Sequence, residues 1–256
     1  AKKFKEGKRV IVLGDSVAFG FRLPGKDTIS VQLEGELDRG QAKWQTVNAG
    51  CYGYGVQDEA HWLEELEADI HADLVLLVLC YNDFCSLETK RTTVPSQFSQ
   101  TLNSSSALAF SISRKWHQMQ RWYELRGIRK LTRWEVHNQY LVKAGGENQA
   151  ATAIFNHVVK VQKTVKKMNG RLAVVLWPGQ LQFQEYLKTG KTPKEQTLFV
   201  ALLKRSYPGI KVLVPYAEFK SYGTDEDLYM DHCHPSAKGV KRFTPRLAKL
   251  VKDSLH

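Results

Sequence analysis

The sequence predicts an α/β fold: a parallel sheet covered by helices on both faces. Three observations predict it. Short apolar runs recur along the chain, the runs are continuous and not alternating, and segments of helical spacing lie between them. A strand that reads as an unbroken stretch of Val, Ile and Leu is buried on both faces, as parallel strands between helical layers are. Strands that alternate with helices imply βαβ units.

The first strand is expected at Arg9–Leu13 and stops at Gly14-Asp15-Ser16. A helix follows at Ile29–Leu37, where Ile29, Leu33 and Leu37 recur every four residues and so share one helical face. Further strands are expected at Trp44–Val47, Leu74–Leu79, Leu172–Trp177 and Ile210–Val214, each bounded by turn residues. Helical patterns fill Val56–Ile70, Asn148–Met168, Thr192–Ser206 and Ser236–Leu255. The stretch 84–147 breaks this rhythm. It is polar up to Ser106, then helical and aromatic with Phe110, Trp116, Trp122, Tyr123 and Trp134. It reads as an elaboration of the helical layer, partly a lid. Residues 1–256 are otherwise expected to form a single domain, since one core can serve a chain of this length.

Composition excludes several classes. The apolar fraction of 43% and charged fraction of 25% are those of globular chains. No apolar run approaches the roughly 20 residues that span a bilayer. The chain opens at Ala1 without a signal peptide, so membrane association or export is expected only through a segment outside this chain. The net charge of +11 suits an anionic partner such as an acidic glycan. The basic residues are spread along the chain and no nucleic-acid motif accompanies them, so nucleic acid is not the expected partner. Four cysteines are too few for a disulfide scaffold.

Sites in open α/β sheets gather at the carboxyl ends of the strands. There the sequence places Gly14-Asp15-Ser16, then Asn48 to Gly55, then Cys80-Tyr81-Asn82-Asp83, then Pro178-Gly179-Gln180, and finally Asp231-His232-Cys233-His234-Pro235. These are the parts of nucleophilic acyl transfer. A serine hydroxyl needs a base to take its proton, and histidine is that base near neutral pH. A carboxylate holds the imidazole in one tautomer, and aimed N–H groups stabilise the oxyanion. Ser16, His234 and Asp231 are the candidates for nucleophile, base and orienting acid. The N–H groups of Ser16 and Gly53 and the side-chain amide of Asn82 are the candidate oxyanion donors.

In these blocks the chain resembles the SGNH hydrolases, also called the GDSL lipase/esterase family. Gly14-Asp15-Ser16 matches the nucleophile block. Asn48-Ala49-Gly50-Cys51-Tyr52-Gly53 matches the block with the oxyanion glycine. Asn82-Asp83 matches the block with the oxyanion asparagine, and Asp231-x-x-His234-Pro235 matches the block with the triad partners. Val17 stands where the family usually has leucine, and Cys80 where it often has glycine. The resemblance implies a flavodoxin-like three-layer α/β/α sandwich with five parallel strands in the order 2-1-3-4-5. It also implies a serine esterase or deacylase that uses no cofactor or metal. Likeness to bacterial members that work at the cell envelope, together with the basic charge, points to an O-acetylated anionic glycan as substrate and to an envelope or secreted location. Substrate choice is assigned to Phe19 to Lys26, Tyr52, Tyr54, Tyr81 and Trp177, with the aromatic insert.

Other readings of the same residues stand beside this one. The triad equally serves an O-acyltransferase, in which a glycan hydroxyl replaces water. A non-catalytic domain could cradle a phosphate in the Gly50–Gly55 loop. Asp231 to His234 with Cys80 and Cys85 contains zinc-type ligands, although the spacing fits no standard site. Cys51, Cys80 and Cys233 are either small buried hydrophobes or partners in a disulfide.

Overall fold

The structure, a computed structural model, describes residues 7–40, 43–84, 141, 145–222 and 225–256. Apart from Phe84, Leu141 and its last three residues, the elaboration expected at 84–147 lies outside the described residues, as does Cys85.

Five strands form one sheet: β1 (Lys8–Gly14), β2 (Trp44–Gly50), β3 (Leu74–Leu79), β4 (Arg171–Leu176) and β5 (Lys211–Leu213). Their order is β2-β1-β3-β4-β5 and every pair is parallel. The helices are α1 (Ser16–Phe19), α2 (Ile29–Leu37), α3 (Val56–Glu67), α4 (Glu147–Lys167), α5 (Gln180–Thr189), α6 (Lys194–Ser206), α7 (Tyr216–Tyr222), α8 (Asp225–Leu228) and α9 (Ala237–Leu255).

Alternation within each strand divides the core into two layers. Val10, Val12, Leu74, Leu76, Val78, Ala173 and Val175 face α2, α5, α7 and α9, meeting Leu33, Phe183, Phe219, Phe243 and Leu247. Ile11, Leu13, Val75, Leu77, Val174 and Leu176 face α3, α4 and α6, meeting Leu63, Ile154, Val158, Val161 and Phe199. This is the three-layer sandwich the apolar runs called for. Burial of all six β3 residues and of Val10 to Leu13 is complete, so no polar side could develop on these strands.

Register brings the strand ends level. Gly14 lies opposite Gly50 on one side and Val78 on the other, and Leu79 lies opposite Leu176. The crossover loops therefore leave the sheet along one edge. There the chain packs backbone on backbone. A Cβ on Gly50 would sit 2.1 Å from the Phe19 nitrogen, and one on Gly14 2.7 Å from the Val78 oxygen. Only glycine lets α1 lie this close to the tips of β1 and β2.

Two expectations fail in detail. Gln180–Thr189 folds as α5 where only a loop was read, because a buried stripe of Gln182 and Phe183 alone leaves little periodicity to detect. Trp177, expected at the substrate, is fully buried. It continues the two-residue alternation of β4 into the core, edge-on to Phe219 at 5.4 Å and Phe243 at 5.0 Å.

Candidate active site

Ser16 opens α1 directly after the first strand. Asp15 caps that turn, its Oδ1 accepting from the Val17 N–H at 2.8 Å, the role short polar side chains play at helix starts. The serine is 7% exposed, enough to be reached from the sheet edge. Its Oγ stands 3.0 Å from His234 Nε2.

His234 is fixed by a turn that Asp231 builds for itself. Asp231 Oδ1 accepts the N–H groups of Cys233 at 2.9 Å and His234 at 2.8 Å, the Asx pattern that closes a turn without backbone pairing. A bridge between Tyr229 and Pro235 and the bond from Met230 N–H to the His234 carbonyl (2.9 Å) hold the turn's ends. The same carboxylate lies 2.9 and 3.0 Å from His234 Nδ1. A carboxylate only accepts, so Nδ1 carries the proton and Nε2 presents its lone pair to the serine. Burial pushes the Asp231 carboxyl up, but the His234 N–H, the His234 ring and the Cys233 N–H outweigh it and bring it down to about 2. Asp231 is therefore charged wherever His234 could act as base.

Asp15 links the Ser16 turn to the third block. Its Oδ2 accepts from Asn82 Nδ2 at 2.9 Å, and lies 3.2 Å from the Cys80 thiol and 3.4 Å from Ser16 Oγ. The Cys80 thiol also touches Asn82 Oδ1. An amide nitrogen carries two hydrogens. One is committed to Asp15, and this fixes the direction of the other. Gly53 lies in the turn after β2, which is fastened to the serine turn by Cys51 N–H donating to the Gly14 carbonyl at 2.9 Å. Its φ of +80° favours glycine through the backbone conformation alone, since a Cβ there would face open space.

Of the other expected site residues, Tyr52 is 54% exposed and stacks on Phe21 at 4.8 Å, and Phe21 packs at the same distance on the His234 ring. Tyr81 lies edge-on to His232 at 6.1 Å. The Tyr54 hydroxyl meets Cys51, the first of the influences that raise its pKa. Trp177 is absent from this group, as the fold already requires.

Sequence reasoning missed the layer beneath. Asp83 and Glu59 are buried at 1% and 0% exposure. Asp83 Oδ2 takes the Cys80 N–H at 2.8 Å while Oδ1 has no partner. Both Glu59 oxygens lack one as well. Burial first, then the neighbouring carboxylates, pushes both groups well above the ordinary carboxylate range. Glu59 falls on the apolar face of α3 with Val56, Ala60 and Leu63, and an acid on that stripe was the available signal. Cys80 is likewise held up by burial, by contact with the Cys233 thiol and by the charge of Asp15, so it is a neutral packing group. Cys51, Cys80 and Cys233 are unbridged. Among the described residues no three His, Cys, Asp or Glu side chains are arranged to hold a metal ion, and no helix is long and apolar enough to cross a membrane.

An open parallel sheet with polar blocks gathered at its carboxyl edge defines the class: a three-layer α/β/α protein with a strand-end site. Solved structures narrow it. A lipolytic protein of the G-D-S-L family from Veillonella parvula matches at TM-score 0.56 and 13% identity, covering 96% of this chain and 98% of that one. The psychrotrophic esterase EstA from Pseudoalteromonas sp., inhibited by monoethylphosphonate, matches at TM-score 0.56 and 12% identity, covering 96% and 97%. AlinE4, an SGNH-hydrolase family esterase, matches at TM-score 0.50 and 14% identity, covering 99% and 100%. No family model and no curated protein matches. The fold is that of the SGNH hydrolases.

Proposed function

We propose that this chain is a serine ester hydrolase. The observation that carries the reading is the hydrogen-bonded line from Asp231 through His234 to Ser16, with Nε2 3.0 Å from Oγ. The separation is within reach for proton transfer, and no binding function needs it. The esterases and lipolytic proteins that share the fold support the same class.

The steps follow from the geometry. His234 Nε2 takes the Ser16 proton as Oγ attacks the ester carbonyl. The oxyanion is held by the Ser16 and Gly53 N–H groups and by the Asn82 N–H not given to Asp15. Collapse expels the alcohol, which receives its proton from Nε2. Water then attacks the acyl-serine with His234 again as base, releasing the acid and restoring the hydroxyl. Asp231 stays ionised throughout and balances the imidazolium.

The finer reading is removal of an O-acyl group, acetyl above all, from a glycan hydroxyl. A serine-reactive phosphonate tests the class. Wild type should be labelled and lose activity towards p-nitrophenyl acetate, while Ser16→Ala should be neither labelled nor active. Labelling that survives in Ser16→Ala would move the nucleophile elsewhere. Product analysis with excess acceptor glycan tests water against transfer, and free acid is the expected product.

A further inference from the structure

We propose that Arg22 selects esters whose alcohol part carries an anionic group, an inference that rests on the hydrolase reading above. The alcohol oxygen must lie within hydrogen-bond reach of His234 Nε2, because that atom returns its proton. Whatever packs on the His234 ring therefore borders the alcohol and not the acyl chain. Phe21 is that residue, with ring centroids 4.8 Å apart. Tyr52, 54% exposed, stacks on Phe21 with planes 22° apart, and the Arg22 guanidinium lies over the same Phe21 ring at 5.1 Å.

The segment is built onto the nucleophile. Gly20 closes α1 in the left-handed conformation, Phe21 N–H donates to the Ser16 carbonyl at 3.0 Å, and Leu23 N–H donates to the Gly20 carbonyl at 2.9 Å. Arg22 itself is held at a φ of +61°. Non-glycine residues adopt that region rarely, and functional sites are where such strain concentrates. No ion pair with Arg22 occurs among the described residues, and Lys26 on the same loop adds a second exposed cation, against Asp27. A sugar or other flat apolar face fits the exposed ring of Tyr52, which is itself stacked on Phe21. A carboxylate or phosphate at its far end meets the guanidinium, whose fork suits both anions.

The test compares acetylated methyl glucuronoside, acetylated methyl glucoside and acetylated methyl glucoside 6-phosphate, with p-nitrophenyl acetate as the uncharged reference. Wild-type kcat/KM should favour one or both charged esters over the glucoside by about fivefold, the upper range of an exposed ion pair. Which of the two gains more tells carboxylate from phosphate. The preference should vanish in Arg22→Gln and in Arg22→Asn, a residue that tolerates the left-handed backbone. It should persist in Arg22→Lys and weaken as salt rises from about 10 to 500 mM. In Arg22→Gln and Arg22→Asn, kcat/KM for the neutral glucoside ester should fall less than that for the charged esters. Equal kcat/KM for charged and neutral sugars, or a preference that survives in both neutral variants, overturns the role of Arg22 and leaves the hydrolase reading standing. Wild type inactive on every ester, with Ser16 unlabelled by phosphonate, overturns both.

Discussion

Replacing Glu59 by glutamine should make the protein more stable, and increasingly so as pH rises. Glu59 is wholly buried on α3, both oxygens lack partners, and Asp83, Asp15 and Asp58 add negative charge around it. Its folded-state pKa is thus raised well above 4.5. The sign follows from proton linkage. Above the unfolded pKa the open chain has released the proton while the folded chain keeps it, so stability is full at low pH and declines as pH climbs towards the folded value. The slope is about 1.4 kcal/mol per pH unit for one such proton. The decline continues only as long as the folded carboxyl keeps its proton, so between pH 5 and pH 7 it is at most about 2.7 kcal/mol. Glutamine has the same shape and nothing to ionise. The variant should match wild type near pH 5 and exceed it at pH 7, by at most roughly 5–10 °C in Tm for a chain of this size. Thermal unfolding of both proteins across this range measures it, and taking the difference cancels the titrating groups that lie away from Glu59. A difference that stays constant with pH would refute the reasoning, because Glu59 would then have a charge partner that sustains its ionised form.

Other expectations concern the site and its support. Asn82→Ala should lower kcat by about 10²–10³ with little change in KM, since the amide acts on the oxyanion and not on bound ester; steady-state kinetics decides. Asp231→Asn should lower kcat by about 10⁴ by removing the acceptor that fixes the imidazole tautomer. The wild-type carboxylate, held near pKa 2, contributes stability that is present above pH 4 and lost as pH falls towards 2, and acid unfolding of the variant should lack that step. Trp177→Ala should cost about 3–5 kcal/mol in denaturant unfolding, as emptied aromatic core positions do, while Trp177→Phe should leave KM unaltered.

The sheet was legible because burial on both faces writes itself as uninterrupted apolar runs, and β3 was placed to the residue. The four blocks were legible because three stand directly after their strands and the fourth just before the last helix. Their convergence was not, since contacts between residues 218 apart leave no local trace. Trp177 was misplaced by treating proximity to a strand end as exposure. Counting by twos from Ala173 and Val175, which share its core layer, would have sent it inward. Phe21 and Arg22 fell within the range assigned to substrate choice, yet the packing of Phe21 on His234 depends on where a distant turn lands. Glu59 was hidden for the opposite reason: three apolar neighbours on its face made a helix easy to see and its odd member easy to pass over.

The long interval between Ser16 and His234 has a consequence for the chain while it is being made. At about 5–20 residues per second, Ser16 joins the chain roughly 10–45 s before His234, 218 residues later, is translated. The helix that follows His234, α9, must then emerge and dock on the finished sheet before the imidazole is steadied. A nascent chain therefore carries the Ser16 hydroxyl without its imidazole partner until His234 has emerged and α9 has docked.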